Sequence, residues 1–263
     1  MTFARINGTV LHYRLSGPQG APALVFVNSL GTDARIWDEV IALLSQTYLC
    51  LSYDKRGHGI SDVPVGDYSL DDHLDDLSGL LDHTGIDGAV LVGVSIGGII
   101  AEGMALRAPH RVHGLVLCCT APRMGDAPMW TARIETVRGA GLGAMVDAIM
   151  ERWFSPTFRA ERTEELGGWR NLFLRTDPEG YANTCATLRD TDLTDAISAI
   201  AAPTLIVGGD ADLAAPLDLV RNGLAIPGSR LEVLPGVGHI PSIEQPAILG
   251  RLIDDFLKEV GHG

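Results

Sequence analysis

Gly93-Val94-Ser95-Ile96-Gly97 decides how this chain is read. The apolar run Ala89-Val90-Leu91-Val92 leads into it. Gly98 follows, and Ile99, Ile100, Met104 and Ala105 continue at helical spacing. The pattern predicts a strand, one tight turn and a helix, with a serine at the apex. At such an elbow the serine takes a strained backbone that holds its hydroxyl clear of the chain. Small residues two before and two after keep strand and helix apart. The pentapeptide by itself does not make a nucleophile. A serine hydroxyl needs a base within hydrogen-bond reach, and the base needs an orienting acid.

Outward from the elbow, the chain alternates strands and helices. Ala23–Val27 and Leu49–Tyr53 upstream, and Val112–Leu117, Thr204–Val207 and Arg230–Leu234 downstream, read as strands. The continuous apolar runs among them are typical of strands buried on both faces. Ala4–Ile6 and Val10–Leu15, joined at Asn7-Gly8, predict an antiparallel hairpin at a sheet edge. Trp37–Leu44 has helical spacing. Ser69-x-x-Asp72 reads as a capping box opening a helix with Leu70, Leu74, Leu77 and Leu81 on one stripe. Ala247–Val260 closes the chain as an amphipathic helix. Such alternation predicts an α/β fold with a mostly parallel eight-stranded sheet and right-handed crossovers.

The rhythm changes after Pro122. From Arg123 to Ala202 helical patterns replace strands, at Trp130–Val137, Leu142–Phe154, Pro178–Arg189 and Leu193–Ile200. The expected organisation is a core of residues 1–122 and 203–263, with a helical cap of residues 123–202 inserted after the sixth strand. The cap segment carries nine of the 18 arginines and neither lysine.

A net charge of −13, from 33 acidic and 20 basic residues, argues against nucleic acid and anionic membranes as partners. An anionic small substrate would need a local cation. Cys50, Cys118, Cys119 and Cys185 show no metal-ligand spacing and are expected to be buried free thiols, with no metal. The first residues lack the basic and apolar regions of an export signal, and no apolar run reaches membrane-spanning length. The expectation is a cytoplasmic enzyme.

Of eight histidines, two sit in glycine-rich loops after strands. His239 lies in Gly236-Val237-Gly238-His239-Ile240-Pro241 and is the candidate base. His58 lies in Asp54-Lys55-Arg56-Gly57-His58-Gly59-Ile60-Ser61, a turn whose glycines suit a structural role, although His58 is also a candidate for lining the pocket. The candidate acids are Asp210 and Asp212, in the loop that follows Thr204–Val207.

The order Ser95, Asp212, His239, with the turn at Asp54–Ser61, the loop Gly209–Pro216 and the Gly-x-Gly-His loop, resembles the α/β-hydrolase superfamily over nearly the whole chain. In that superfamily's acid loop the aspartate falls three after the glycine and four before the proline, which selects Asp212 over Asp210. Asn28-Ser29-Leu30-Gly31-Thr32-Asp33 with Trp37 looks like the branch of 3-oxoadipate enol-lactonases, and departs from the superfamily's usual His-Gly start. The resemblance implies a cofactor-free serine hydrolase with a catalytic triad of Ser95, Asp212 and His239, and an oxyanion hole of the Leu30 and Ile96 backbone N–H groups. The Ile96 N–H also suits this on physical grounds, because it opens a helix whose first N–H groups are unpaired.

The implied substrate is a small anionic lactone, the enol-lactone of 3-oxoadipate. Trp130, Arg133 and Val137 share one helical face. Trp130 would pack the ring and Arg133 would meet the carboxylate, with Arg138 as its rival. A general carboxylesterase or a cofactor-free perhydrolase would use the same triad. A low-turnover ligand-sensing protein could share the fold. A dehalogenase or epoxide hydrolase would carry aspartate where Ser95 stands.

Overall fold

The computed structural model describes residues 2–262. Its strands are β1 (Thr2–Ile6), β2 (Thr9–Ser16), β3 (Ala23–Val27), β4 (Leu49–Tyr53), β5 (Ala89–Val94), β6 (Val112–Cys118), β7 (Thr204–Gly209) and β8 (Arg230–Leu234). They form one sheet in the order β1-β2-β4-β3-β5-β6-β7-β8. Pairing is antiparallel where β2 meets β1 and β4, and parallel from β4 to β8. The edge hairpin turns at Asn7 and Gly8, both with positive φ. Every residue of β3, β4, β5 and β7 is buried, which is why these segments read as unbroken apolar runs.

The helices are α1 (Asp38–Leu44), α2 (Leu70–Thr84), α3 (Ile96–Arg107), α4 (Ala127–Ala140), α5 (Val146–Trp153), α6 (Pro156–Glu161), α7 (Thr163–Leu174), α8 (Pro178–Asp190), α9 (Leu217–Val220), α10 (Pro241–Glu244) and α11 (Pro246–Glu259). Helix α1 packs on α11. Helix α2 packs on α3, which lies against β3, β5 and β6. The capping box of Ser69 and Asp72 opens α2, and Gly85 in the left-handed region closes it. This is the α/β-hydrolase fold, and it sets the elbow at the carboxyl ends of the central strands, where open parallel sheets place their sites.

Helices α4 to α8 fill the chain between β6 and β7, with no strand among the described residues from 119 to 203. Helices α4 and α8 pack on each other. Two local expectations change. Leu193–Ile200 is not a helix but a single 3-10 turn at Ile197–Ala199. The Leu193 N–H is held by the Pro122 carbonyl, and Asp192 accepts from the Thr194 N–H, so the segment is pinned to the core before a helix can start. Helices α6 and α7 occupy 156–174, in addition to the four helical spans expected of residues 123–202, and their polar residues outnumber the few that bury. No helix among the described residues is long and apolar enough to cross a membrane.

Candidate active site

Ser95 stands between β5 and α3 with φ 59° and ψ −124°, a backbone state that costs an ordinary residue about 1–3 kcal/mol. The surroundings enforce it. Ser95 N–H donates to the Cys118 carbonyl at 3.0 Å, and Thr120 Oγ1 donates to the Ser95 carbonyl at 2.7 Å. The two flanking glycines clear different obstacles. A Cβ on Gly93 would come within 2.2 Å of the Gly97 carbonyl oxygen, across the elbow. A Cβ on Gly97 would come within 2.2 Å of the Val27 carbonyl oxygen, at the end of β3. The second glycine thus admits the neighbouring strand, not only the turn.

The loops after β7 and β8 bring Asp212 and His239 together. His239 Nδ1 lies 2.8 Å from Asp212 Oδ2, and both side chains are almost wholly buried. Asp212 Oδ1 accepts from the N–H groups of Ala214 and Ala215, at 2.7 and 2.9 Å. Burial alone would push the Asp212 carboxyl up. The attraction and hydrogen bond of His239, with the two N–H groups, outweigh it and hold the carboxyl below its usual value. Asp210 is exposed and accepts from Gly236 N–H at 2.6 Å, which ties the β7 loop to the loop carrying His239.

Behind the pair lies Cys119, whose sulfur sits with the Asp212 and His239 ligand atoms inside 4.8 Å. Burial, and then the Asp212 carboxylate, push its thiol far up, so it stays protonated beside the acid. A neutral thiol and an imidazole already bonded to a carboxylate suit an acid–base pair better than a metal's donor set.

The loop Asn28–Asp33 follows β3. Among the described residues neither the Leu30 nor the Ile96 N–H finds an acceptor. Several groups hold the loop from beneath. Asn28 Nδ2 donates to the Thr32 carbonyl, and Lys55 Nζ donates to the Ser29 carbonyl at 2.6 Å. His58 Nε2 accepts from Gly31 N–H at 2.9 Å, while its Nδ1 faces the Arg56 carbonyl at 3.2 Å. Burial, with Lys55 close by, pushes His58 far down, so the ring is a neutral acceptor. The structure therefore corrects the expectation that His58 lines the pocket: it is a strut under the loop. Asp54 does not meet His58 either. It bonds His12 Nδ1 at 2.9 Å and the N–H groups of Ala34 and Ile60.

Ser95 and His239 open onto one cavity with Leu30, Trp130, Arg133 and Arg152. Its free space is about 40 Å³, enough for a few waters and too small for a substrate. The Ser95 hydroxyl points at Met124 Sδ, 3.8 Å away. Arg133 lies over the Trp130 ring, 4.8 Å from its centroid, and half-buried Arg152 approaches from α5. Burial and neighbouring Arg133 push the Arg152 guanidinium down. Neither arginine forms an ion pair among the described residues. Arg138 lies elsewhere: it pairs with Asp67 at 3.0 Å and Glu179 at 3.1 Å on the outer surface, a correction to its place as a pocket cation. One turn and a half separates it from Arg133 on α4, enough to turn it toward α8.

Sequence reading passed over Arg152, Met124 and Lys55. Arg152 had a signal, since it falls three residues after Ile149 on α5 and both line the cavity. Met124 sits in a loop with no periodicity to betray it.

Comparison with known proteins agrees with this geometry. A family described as "Alpha/beta hydrolase family" matches residues 24–251. A 3-oxoadipate enol-lactonase of Acinetobacter baylyi is 34% identical over 94% of this chain and 93% of its own. The enol-lactonase structure from Burkholderia xenovorans superposes with a TM-score of 0.95 at 36% identity, covering 98% of this chain and 100% of that one. A thermophilic esterase from Thermogutta terrifontis gives 0.93 at 28% identity, over 99% of both chains. With its elbow, its sheet and its relatives in agreement, the chain belongs to the alpha/beta hydrolase family.

Proposed function

We propose that the protein is a serine hydrolase that opens the enol-lactone of 3-oxoadipate to 3-oxoadipate, in the breakdown of protocatechuate or catechol. The observation that carries this reading is the cavity itself. It holds Ser95 and His239 under two arginines, Arg133 and Arg152, that no carboxylate neutralises among the described residues. In a chain of net charge −13, unpaired half-buried cations are the feature a carboxylated substrate needs. Trp130 and Ile149 supply apolar surface for a small ring. The likeness to enol-lactonases over almost the full chain supports the same choice. The helices of residues 123–202 act as the cap that sets specificity.

The steps follow from the roles. Met124 turns aside, and Ser95 Oγ attacks the lactone carbonyl carbon as His239 Nε2 takes its proton. Asp212 keeps Nδ1–H in place and stabilises the imidazolium. The oxyanion rests on the Leu30 and Ile96 N–H groups. Collapse breaks the ring C–O bond, and the leaving enolate oxygen takes the proton from His239. The enol becomes a ketone without a cofactor. Water then attacks the acyl-serine with His239 as base and frees the product.

The test is turnover of 3-oxoadipate enol-lactone against that of para-nitrophenyl acetate, with Ser95→Ala as control. The reading expects a higher kcat/KM for the lactone and an inactive Ser95→Ala. A preference for the neutral ester would instead make the protein a general carboxylesterase, and wild-type turnover by Ser95→Ala would remove the serine mechanism.

A further inference from the structure

Lys55 is the least expected residue near the site. It is 1% exposed, and its Nζ forms no ion pair among the described residues. Asp54 and Asp33 are near enough to favour its charge, but burial outweighs them and pushes the amine far down. A buried lysine left without a partner carboxylate costs stability, so its one side-chain hydrogen bond among the described residues matters. That contact is the Ser29 carbonyl, at 2.6 Å.

The Ser29 carbonyl and the Leu30 N–H are the two ends of one peptide unit. In a trans peptide they point in opposite directions, and no peptide bond among the described residues is cis. A donor that fixes the carbonyl toward the interior fixes the N–H toward the opposite side. Ser29 and Leu30 both line the catalytic cavity, and the Leu30 N–H has no acceptor among the described residues. Donation to the carbonyl also polarises the same peptide, which makes its N–H a better donor. The Ser29 carbonyl is in fact crowded with donors: Thr32 Oγ1 stands at 3.0 Å and Asn28 Nδ2 at 3.3 Å as well.

We propose that Lys55 is a positioning residue for the oxyanion hole, aiming and polarising the Ser29–Leu30 peptide through its hydrogen bond to the Ser29 carbonyl. The inference rests on the reading of Leu30 N–H as an oxyanion donor. It assigns the second position of the Asp54–Ser61 turn to transition-state stabilisation, whereas His58 in the same turn holds the loop's next N–H, that of Gly31.

Lys55→Met removes the donor and keeps the volume, and Thr32 and Asn28 still hold the carbonyl, so the loop remains closed. Two ligands separate positioning from mere structure: phenylboronic acid, which forms a tetrahedral anion on Ser95, and benzoate, which stays planar. Loss of a whole oxyanion donor costs about 10²–10³ in kcat, and weakening one should cost about tenfold or more. Lys55→Met is expected to lower kcat and phenylboronic acid affinity together, by about tenfold, with KM and benzoate affinity within about twofold. Lys55→Gln, which keeps an N–H for the Ser29 carbonyl, should recover part of the loss.

The ratio of the two affinities is a property of the folded fraction, so partial unfolding does not imitate this result. Equal weakening of both ligands, or an unchanged boronate affinity, overturns the proposal even when Ser95→Ala is inactive and the hydrolase reading stands. An active Ser95→Ala would remove that reading and this proposal with it.

Discussion

Met124 Sδ stands 3.8 Å from Ser95 Oγ, and the same sulfur lies 3.9 Å from Thr120 Oγ1, which holds the Ser95 carbonyl. The Ser95 hydroxyl is therefore covered by a thioether. Trp130 Nε1 donates to the Met124 carbonyl, so the residue is tied at its backbone, and its unbranched side chain has other rotamers to turn into.

Shortening Met124 should widen the site. Met124→Ala is expected to raise kcat/KM for butyrate esters relative to acetate esters. It should also lower the unfolding free energy by about 2–5 kcal/mol, as for other buried Met-to-Ala changes. Steady-state rates on an ester series and urea unfolding test both parts. An unchanged chain-length profile would show that the sulfur does not limit the acyl site.

The two cavity arginines should be separable from the surface one. Arg133→Leu and Arg152→Leu are each expected to lower kcat/KM for the carboxylated lactone by about 10–100-fold, the scale of a lost charged hydrogen bond. Rates on para-nitrophenyl acetate should stay near wild type. Arg138→Leu, which breaks bonds to Asp67, Glu179 and Asn183 away from the cavity, should leave both substrates unaffected. Equal losses on charged and neutral substrates would deny the arginines a role in charge recognition.

The neighbouring aspartates make a matched pair. Asp212→Asn keeps the shape but loses the acceptor that fixes His239, and a fall of roughly 10⁴ in kcat is expected from other triads. Asp210→Asn touches only the bond to Gly236 and should retain most activity. Similar kinetics for the two variants would contradict the division of labour.

Glu102 on α3 is fully buried, and neither carboxyl oxygen has a hydrogen-bond partner among the described residues. Burial pushes its pKa from 4.5 to about 8. The folded protein therefore keeps a proton that the unfolded chain releases. The stability this protonated group allows is complete below about pH 4.5 and is lost as the pH rises through about 8. Glu102→Gln abolishes the titration, so the variant should gain on wild type across that window, by up to several kcal/mol at its upper end. Urea unfolding at a series of pH values measures the gap. A gap that stays constant with pH would mean that Glu102 is ionised in the folded state.

Much of the fold was legible because the buried strands are short, apolar and bounded by loops. Ala23–Val27, Leu49–Tyr53 and Arg230–Leu234 have the same limits in sequence and structure. Helix limits among residues 123–202 were harder. These helices bury only parts of their surface, and Leu193–Ile200 shows that a helical spacing gives way when Asp192 and the Pro122 carbonyl claim its first N–H groups. Of the site, Ser95 and His239 could be named from local context, since each sits in a glycine-bearing loop after a strand. Asp212 could be told from Asp210 only by resemblance to a family pattern, because both aspartates follow the same strand within three residues.

By itself the sequence determined the alternation of strand and helix, the elbow at Ser95 and the chain order of serine, acid and histidine. These are local properties: side-chain periodicity and turn chemistry act over a few residues, and they survive without knowledge of what packs where. Which charged side chain faces the cavity was decided only by tertiary structure. Arg133 and Arg138 look alike along the chain, yet α8 offers Glu179 and Asn183 to one and leaves the other over Trp130. The same holds at the elbow. Gly97 is small because Val27 of β3 passes 2.2 Å from where its Cβ would stand, and Lys55 is buried because the Ser29 carbonyl turns inward to meet it. Those contacts join residues some 26 to 70 positions apart, and no local pattern carries them.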